Sequence, residues 1–120
     1  MTRVTSVPDP EEYLPLPLAQ FHILAALSGG ELHGYVIMQT VEESSHGLVR
    51  MGPATLYGTL KKLVGLGLVK EVARRPTSGD DARRRYYELS GLGRSVCAAE
   101  ADRLSVLAAR TRRNLRPGLT

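Results

Sequence analysis

The fold class this sequence predicts is mainly α-helical, with a short β-hairpin and one long helix at the end of the chain. Three observations carry that prediction. Residues 52–65 join a helix-start signal to an apolar stripe on one side and a small, cationic face on the other. The stretch after them becomes β-branched, passes through a basic tip rich in turn residues, and returns as a second β-rich run. From Ser90 onward, apolar residues recur at spacings of three and four.

Residues 1–14 are rich in proline and polar residues and show no periodicity, so they read as a flexible arm. Pro17 opens a first helix, Leu18 to Ser28, which Gly29 and Gly30 stop. Leu18, Phe21, Leu24 and Ala25 lie on one side of it, Ile23 and Leu27 on another. A helix apolar nearly all round is buried on more than one side, and in a chain this small the second covering surface is expected from another subunit. A second helix runs from about His33 to Ser45, with Ile37, Met38 and Val41 pointing inward, and His46-Gly47 ends it.

Pro53 fits the first position of a third helix, where its missing N–H costs nothing, and Gly52 is a weak cap. At 100° per residue, Leu56, Leu60, Leu63 and Val64 form one apolar stripe that must face a core. The opposite side holds Ala54, Thr55, Gly58, Lys61, Lys62 and Gly65, without a carboxylate. A surface helix normally mixes charge signs. One stripped of bulk and of acid suits close approach to a polyanion, and reads as a DNA recognition helix. Gly65 and Gly67 end it, and Leu66 to Val72 is expected as an extended strand. Arg74 to Asp81 form the tip, and Arg83 to Leu89 return as the second strand, with Tyr86 and Leu89 as its buried register. Helix, strand, basic loop and strand are the plan of a winged helix-turn-helix. Its helix enters the major groove while the hairpin wing touches the flanking backbone or minor groove. Asp80 and Asp81 argue against deep insertion of the tip.

Ser90 is an N-cap candidate for a last helix reaching about Arg113, with Val96 or Cys97, Ala101, Leu104, Leu107 or Ala108, Thr111 and Leu115 in its stripe. Roughly 24 residues at 1.5 Å each give about 36 Å, longer than the winged domain needs. Pairing with the same helix of a second copy would bury the stripe, so a homodimer is expected. The layout is then an arm over 1–14, a winged helix-turn-helix domain over 15–89, a dimerisation helix over 90–116 and a tail over 117–120.

Charge supports a polyanion partner. Residues 1–49 carry a net −5 and residues 50–120 a net +9, a split that double-stranded DNA explains better than a solvated basic face without a partner. Cys97 is the only cysteine, so no intrachain disulfide is possible and a reducing compartment is expected. Neither a signal-peptide pattern nor a stretch of about 20 apolar residues is present, and the expected location is the cytoplasm, without membrane contact. No nucleophile–base pair and no phosphate-binding glycine loop supports an enzyme. His22, His33, His46 and Cys97 lack metal-ligand spacing, so neither metal nor cofactor is expected. The rival reading is a winged-helix module that binds protein; its recognition face would tolerate acid and expose large apolar residues, unlike this one.

The residues also carry a resemblance. Pro17-Leu18-Ala19-Gln20-Phe21-His22-Ile23-Leu24, His33-Gly34-Tyr35, Pro53-Ala54-Thr55-Leu56-Tyr57 with Leu60-Lys61-Lys62-Leu63, and Arg83-Arg84-Arg85-Tyr86-Tyr87-Glu88-Leu89-Ser90 with Gly93-Arg94 stand in order. Together they resemble the PadR family of bacterial transcriptional regulators, in its short form with one C-terminal helix. The resemblance implies a homodimer on a pseudo-palindromic operator, usually a repressor, released in many members by a small molecule or stress signal. A ligand of that kind would bind at or near the dimer interface. Carried over by position, the DNA contacts are Thr55, Tyr57, Lys61 and Lys62 in the helix and Arg83 and Arg84 in the wing. Gly52 and Gly58 depart from the family pattern, which commonly has a capping residue and a larger side chain there, and the chain has no tryptophan.

Overall fold

A computed structural model describes residues 8–72 and 85–117. The elements are α1 (Leu18–Leu27), β1 (Leu32–His33), α2 (Gly34–Ser44), α3 (Pro53–Gly65), β2 (Val69–Val72), β3 (Tyr86–Leu89) and α4 (Gly91–Leu115). The three strands form one antiparallel sheet in the order β1-β3-β2. Helices α1 to α3, the sheet and the long α4 make a winged helix-turn-helix with a C-terminal helical extension.

α1 lies at the centre. Its apolar residues point in several directions, and Ile23, Leu24 and Leu27 are all fully buried inside this chain. α2, α3, α4 and β3 surround it. Four elements of the same chain therefore cover Ile23, Leu24 and Leu27 without a second subunit. Leu18, at its first turn and 65% exposed, and Ala25 are the apolar residues left open to solvent.

α3 ends in a Schellman motif, with Leu68 N–H donating to the Leu63 carbonyl and Gly67 N–H to that of Val64. Gly67 takes φ +80°, the left-handed conformation that this cap requires and that glycine adopts without a Cβ penalty. Leu66 and Gly67 therefore cap the helix, and the strand begins at Val69, three residues later than expected. In β3 the buried side chains are Tyr87 and Leu89, not Tyr86 and Leu89. Strand residues alternate faces, so 86 and 89 cannot share one. Tyr86 instead meets the ring of His33 edge-on, with centroids 5.4 Å apart. β1 was not expected: two residues are too few for any periodicity to show.

α4 starts from a knot of contacts at the end of the α3 cap. The Ser90 hydroxyl accepts from Gly93 N–H at 2.8 Å and donates to the Gly67 carbonyl at 2.6 Å, and Ser90 N–H donates to the Leu68 carbonyl. A Cβ on Gly93 would collide with that Leu68 carbonyl, so the first turn of α4 rests directly on backbone.

The described part of the expected N-terminal arm is ordered. Pro10–Tyr13 form a 3-10 turn capped by Asp9, and Tyr13 and Leu14 pack on the core. The segment is tied down by Glu100 of α4, a carboxylate only 2% exposed that accepts from Leu16 N–H at 2.9 Å. Arg103, one turn on, donates to both Glu100 oxygens at 2.6 and 3.0 Å. The hydrogen bond from Arg103 leads in holding the Glu100 carboxyl below its ordinary pKa; burial opposes it, and Leu16 N–H assists. The local sequence of the arm holds no sign of this, because its partner is 84 residues away.

Glu100→Ala leaves the buried Leu16 N–H without its acceptor and should cost about 1–3 kcal/mol. A carboxyl whose pKa is depressed on folding adds stability above its unfolded value, about 4.3, and loses it as pH falls through the folded value. Thermal melts across the acid range should accordingly show a shallower loss of stability on acidification in Glu100→Ala than in wild type.

Candidate nucleic-acid interface

α3 is half core and half open. Leu56, Leu60 and Leu63 are fully buried against the domain, while Val64, expected in the same stripe, is 41% exposed at its edge. Ala54, Thr55, Gly58, Lys61, Lys62 and Gly65 are all exposed. A Cβ on Gly58 or Gly65 would have nothing within 4 Å. The centre of the outward face is therefore bare backbone, flanked by Thr55 and Lys62 on one side and Lys61 on the other.

Neither Lys61 nor Lys62 has an ion-pair partner among the described residues. The cations at the described base of the wing differ. Lys70 pairs with Glu88 directly across the ladder at 3.6 Å, and Arg85 reaches Glu71 at 3.9 Å. Glu71, Arg85, Lys61, Tyr57 and the buried Tyr87 line a groove of about 420 Å³ between α3 and the sheet. Burial first, then the charge of Glu71, pushes the Tyr87 hydroxyl above its ordinary pKa, with Arg85 opposing both.

The site residues expected from sequence are brought together in part. Thr55, Lys61 and Lys62 share the outward face of α3. The Thr55 carbonyl accepts from the Thr59 hydroxyl at 2.7 Å, and the Thr55 side chain itself has no hydrogen-bond partner among the described residues. Tyr57 is 42% exposed, but its hydroxyl is turned toward α2 and lies against Gly34. Arg83 and Arg84 lie outside the described residues. Gly34 stands in the His33-Gly34-Tyr35 motif, but its contact with Tyr57 was not foreseen from the sequence, because the two residues lie 23 positions apart.

Among the described residues no group of three or more His, Cys, Asp or Glu side chains is placed to hold a metal ion. Cys97 is buried, and burial pushes its thiol up, with Arg94 opposing. No described helix is long and apolar enough to cross a membrane.

Residues 23–99 match the profile of the transcriptional regulator PadR-like family. The chain belongs to that family. It is 36% identical over 93 residues to the uncharacterized 37.1 kDa protein in transposon TN4556 of Streptomyces fradiae, covering 77% of this chain and 24% of that protein. The chain thus spans about a quarter of the length of this relative. A PadR family transcription regulator from Clostridium difficile R20291 shares the fold with a TM-score of 0.70 at 19% identity, over 83% of this chain and all of that one. Bacillus subtilis PadR in complex with operator DNA superposes with a TM-score of 0.58 at 25% identity, over 75% of this chain and 48% of that one. The family and these solved structures are transcription regulators, not enzymes.

The open surroundings of Gly58 make a direct prediction. Glycine inside a helix costs about 0.5–1 kcal/mol relative to alanine when nothing crowds the site. Gly58→Ala should raise the melting temperature of the free protein by the corresponding amount. A fall would mean that this face is packed in the absence of any ligand.

Proposed function

We propose that this PadR-family protein is a cytoplasmic repressor that binds double-stranded operator DNA as a homodimer, with the outward face of α3 in the major groove. One observation carries the reading: that face is bare at its centre, free of acid, and bears two lysines without partners among the described residues. A protein-docking face would present large apolar side chains at its centre. In the free protein Gly58 only weakens its helix. Against DNA it lets the backbone approach base edges that a side chain would hold off. The complex of Bacillus subtilis PadR with operator DNA supports the assignment at the level of the family.

In this reading Thr55, in the first turn of α3, meets a base edge, and Lys61 and Lys62 meet phosphates. Arg83 and Arg84 extend the contact from the wing. The dimer forms through α4. One face of its first turns, Gly93, Val96, Cys97 and Glu100, is buried in the chain's own domain, but Val106, Leu107 and Leu115 beyond them are exposed, Leu107 by 51%. A second copy would cover these residues, and a two-fold dimer reads a pseudo-palindrome. A small-molecule effector, in a protein that has one, binds at or near that interface.

Binding should be steeply salt-dependent. Lys61, Lys62 and two or three wing arginines per subunit neutralise about 8–10 phosphates in a dimer, giving a slope of log K against log salt of about −7 to −9. A slope shallower than about −3 would assign the basic half of the chain another purpose. Two substitutions separate reading from positioning. Lys62→Ala should weaken all sequences alike, since a phosphate contact carries no base information. Thr55→Ala should relax discrimination at one position of each half-site, costing about 1–3 kcal/mol on the preferred duplex and less on random DNA. Titration against single-base variants reads both, and the reverse pattern would mean that α3 is oriented differently.

A further inference from the structure

We infer that Tyr57 and Gly34 form the joint that fixes the tilt of α3 against α2 and the wing, so that Tyr57 positions the recognition helix and does not itself contact DNA. The inference rests on the DNA-binding reading for its consequence, but its geometry stands independently. A Cβ built on Gly34 would collide with the Tyr57 hydroxyl, and would lie 2.6 Å from Cζ and 3.0 Å from Cε1 of the same ring. Real Cβ contacts are essentially never closer than 3.0 Å. The three atoms met are the far end of the Tyr57 ring, so a side chain at residue 34 must turn that ring from its place and so break the packing that joins α3 to α2 here.

Backbone angle does not explain the glycine. Gly34 opens α2 and is absent from the residues with positive φ, so an L-residue would suit its conformation. What this position requires is space, and Tyr57 fills that space.

The location gives the contact its reach. His33, the residue before Gly34, pairs with Tyr86 of β3 in the ladder and meets its ring edge-on. Gly34 is buried between that strand pairing and the Tyr57 ring. His33-Gly34 thus holds the wing strand on one side and the recognition helix on the other. Lys61 lies one turn beyond Tyr57 on α3, so a change in tilt at Tyr57 moves the whole outward face. Hydrogen bonds to base edges tolerate only a few tenths of an ångström, whereas phosphate attraction is far less sensitive to distance. A displaced α3 should lose sequence discrimination before it loses general affinity for DNA.

The test uses the full chain and a duplex that the wild-type protein selects from a random-sequence library, with a scrambled duplex of the same composition as control. Gly34→Ala should lose about tenfold or more on the selected duplex and under about threefold on the scrambled one. Tyr57→Phe, which keeps the ring, should stay within about threefold of wild type on both. In a Tyr57→Leu background, adding Gly34→Ala should change affinity by less than about twofold, because the space is then free. Melting temperatures of wild type, Gly34→Ala, Tyr57→Leu and the double variant should show the same coupling without DNA, and the double variant should regain any folding that Gly34→Ala alone loses. Three results overturn the inference: wild-type binding by Gly34→Ala, an equal cost of Gly34→Ala with and without the Tyr57 ring, or a tenfold loss in Tyr57→Phe at unchanged stability. The last would assign the hydroxyl to DNA. If wild type selects no duplex, the DNA-binding reading fails separately, and the melting cycle still tests the joint.

Discussion

The constraint on which this fold depends is that α1 is packed on several sides by its own chain. Ile23, Leu24 and Leu27 are fully buried in different directions, each worth about 1.5–3 kcal/mol of apolar burial. α2, α3, α4 and β3 all take their positions from contact with this one ten-residue helix. The recognition face of α3 and the departure of α4 therefore share a reference. Core packing at native density does not deform continuously, so a change on one side of α1 is felt on the other.

Two further contacts convert that packing into fixed angles. At the Gly93–Leu68 approach, α4 rests on the backbone that follows the α3 cap, so the extension leaves the domain in one direction. Near the middle of the chain's helical framework, Glu100 spends a buried carboxylate on Leu16 N–H and Arg103, and this holds the N-terminal segment against α4. Charge follows the same division of labour. The cations of Lys70 and Arg85 at the wing base are paired with Glu88 and Glu71. Those of Lys61 and Lys62 have no such partner among the described residues, and this is why α3 is the face we propose for DNA.

Much of this was legible in the sequence because it is local. The stripe of Leu56, Leu60 and Leu63, the Pro53 start, the Ser90 cap and the long period of α4 each announce themselves within a few residues. The acid-free outward face of α3 was legible for the same reason. What was hidden depends on residues far apart in the chain. Ile23 and Leu27 were rightly read as buried, but sequence alone could not show that the same chain covers them. Glu100 occupies a core-facing position on α4 and looks misplaced until the Leu16 N–H arrives from the other end of the chain. Tyr57 sits at the border of two helix faces, where periodicity cannot decide its direction; Gly34, 23 positions earlier, decides it. The register of β3 was misread from Tyr86, although strict alternation with Leu89 points to Tyr87.

The central claim is that the outward face of α3 is where DNA sits. Backbone amide resonances followed during titration with a duplex selected by the protein test it most directly. The account predicts that the largest shifts fall on residues 54–62 of α3, with smaller ones at the wing, and that the last turns of α4 do not move with them. Dominant shifts over the arginines from Arg110 to Arg116, with α3 unperturbed, would contradict it.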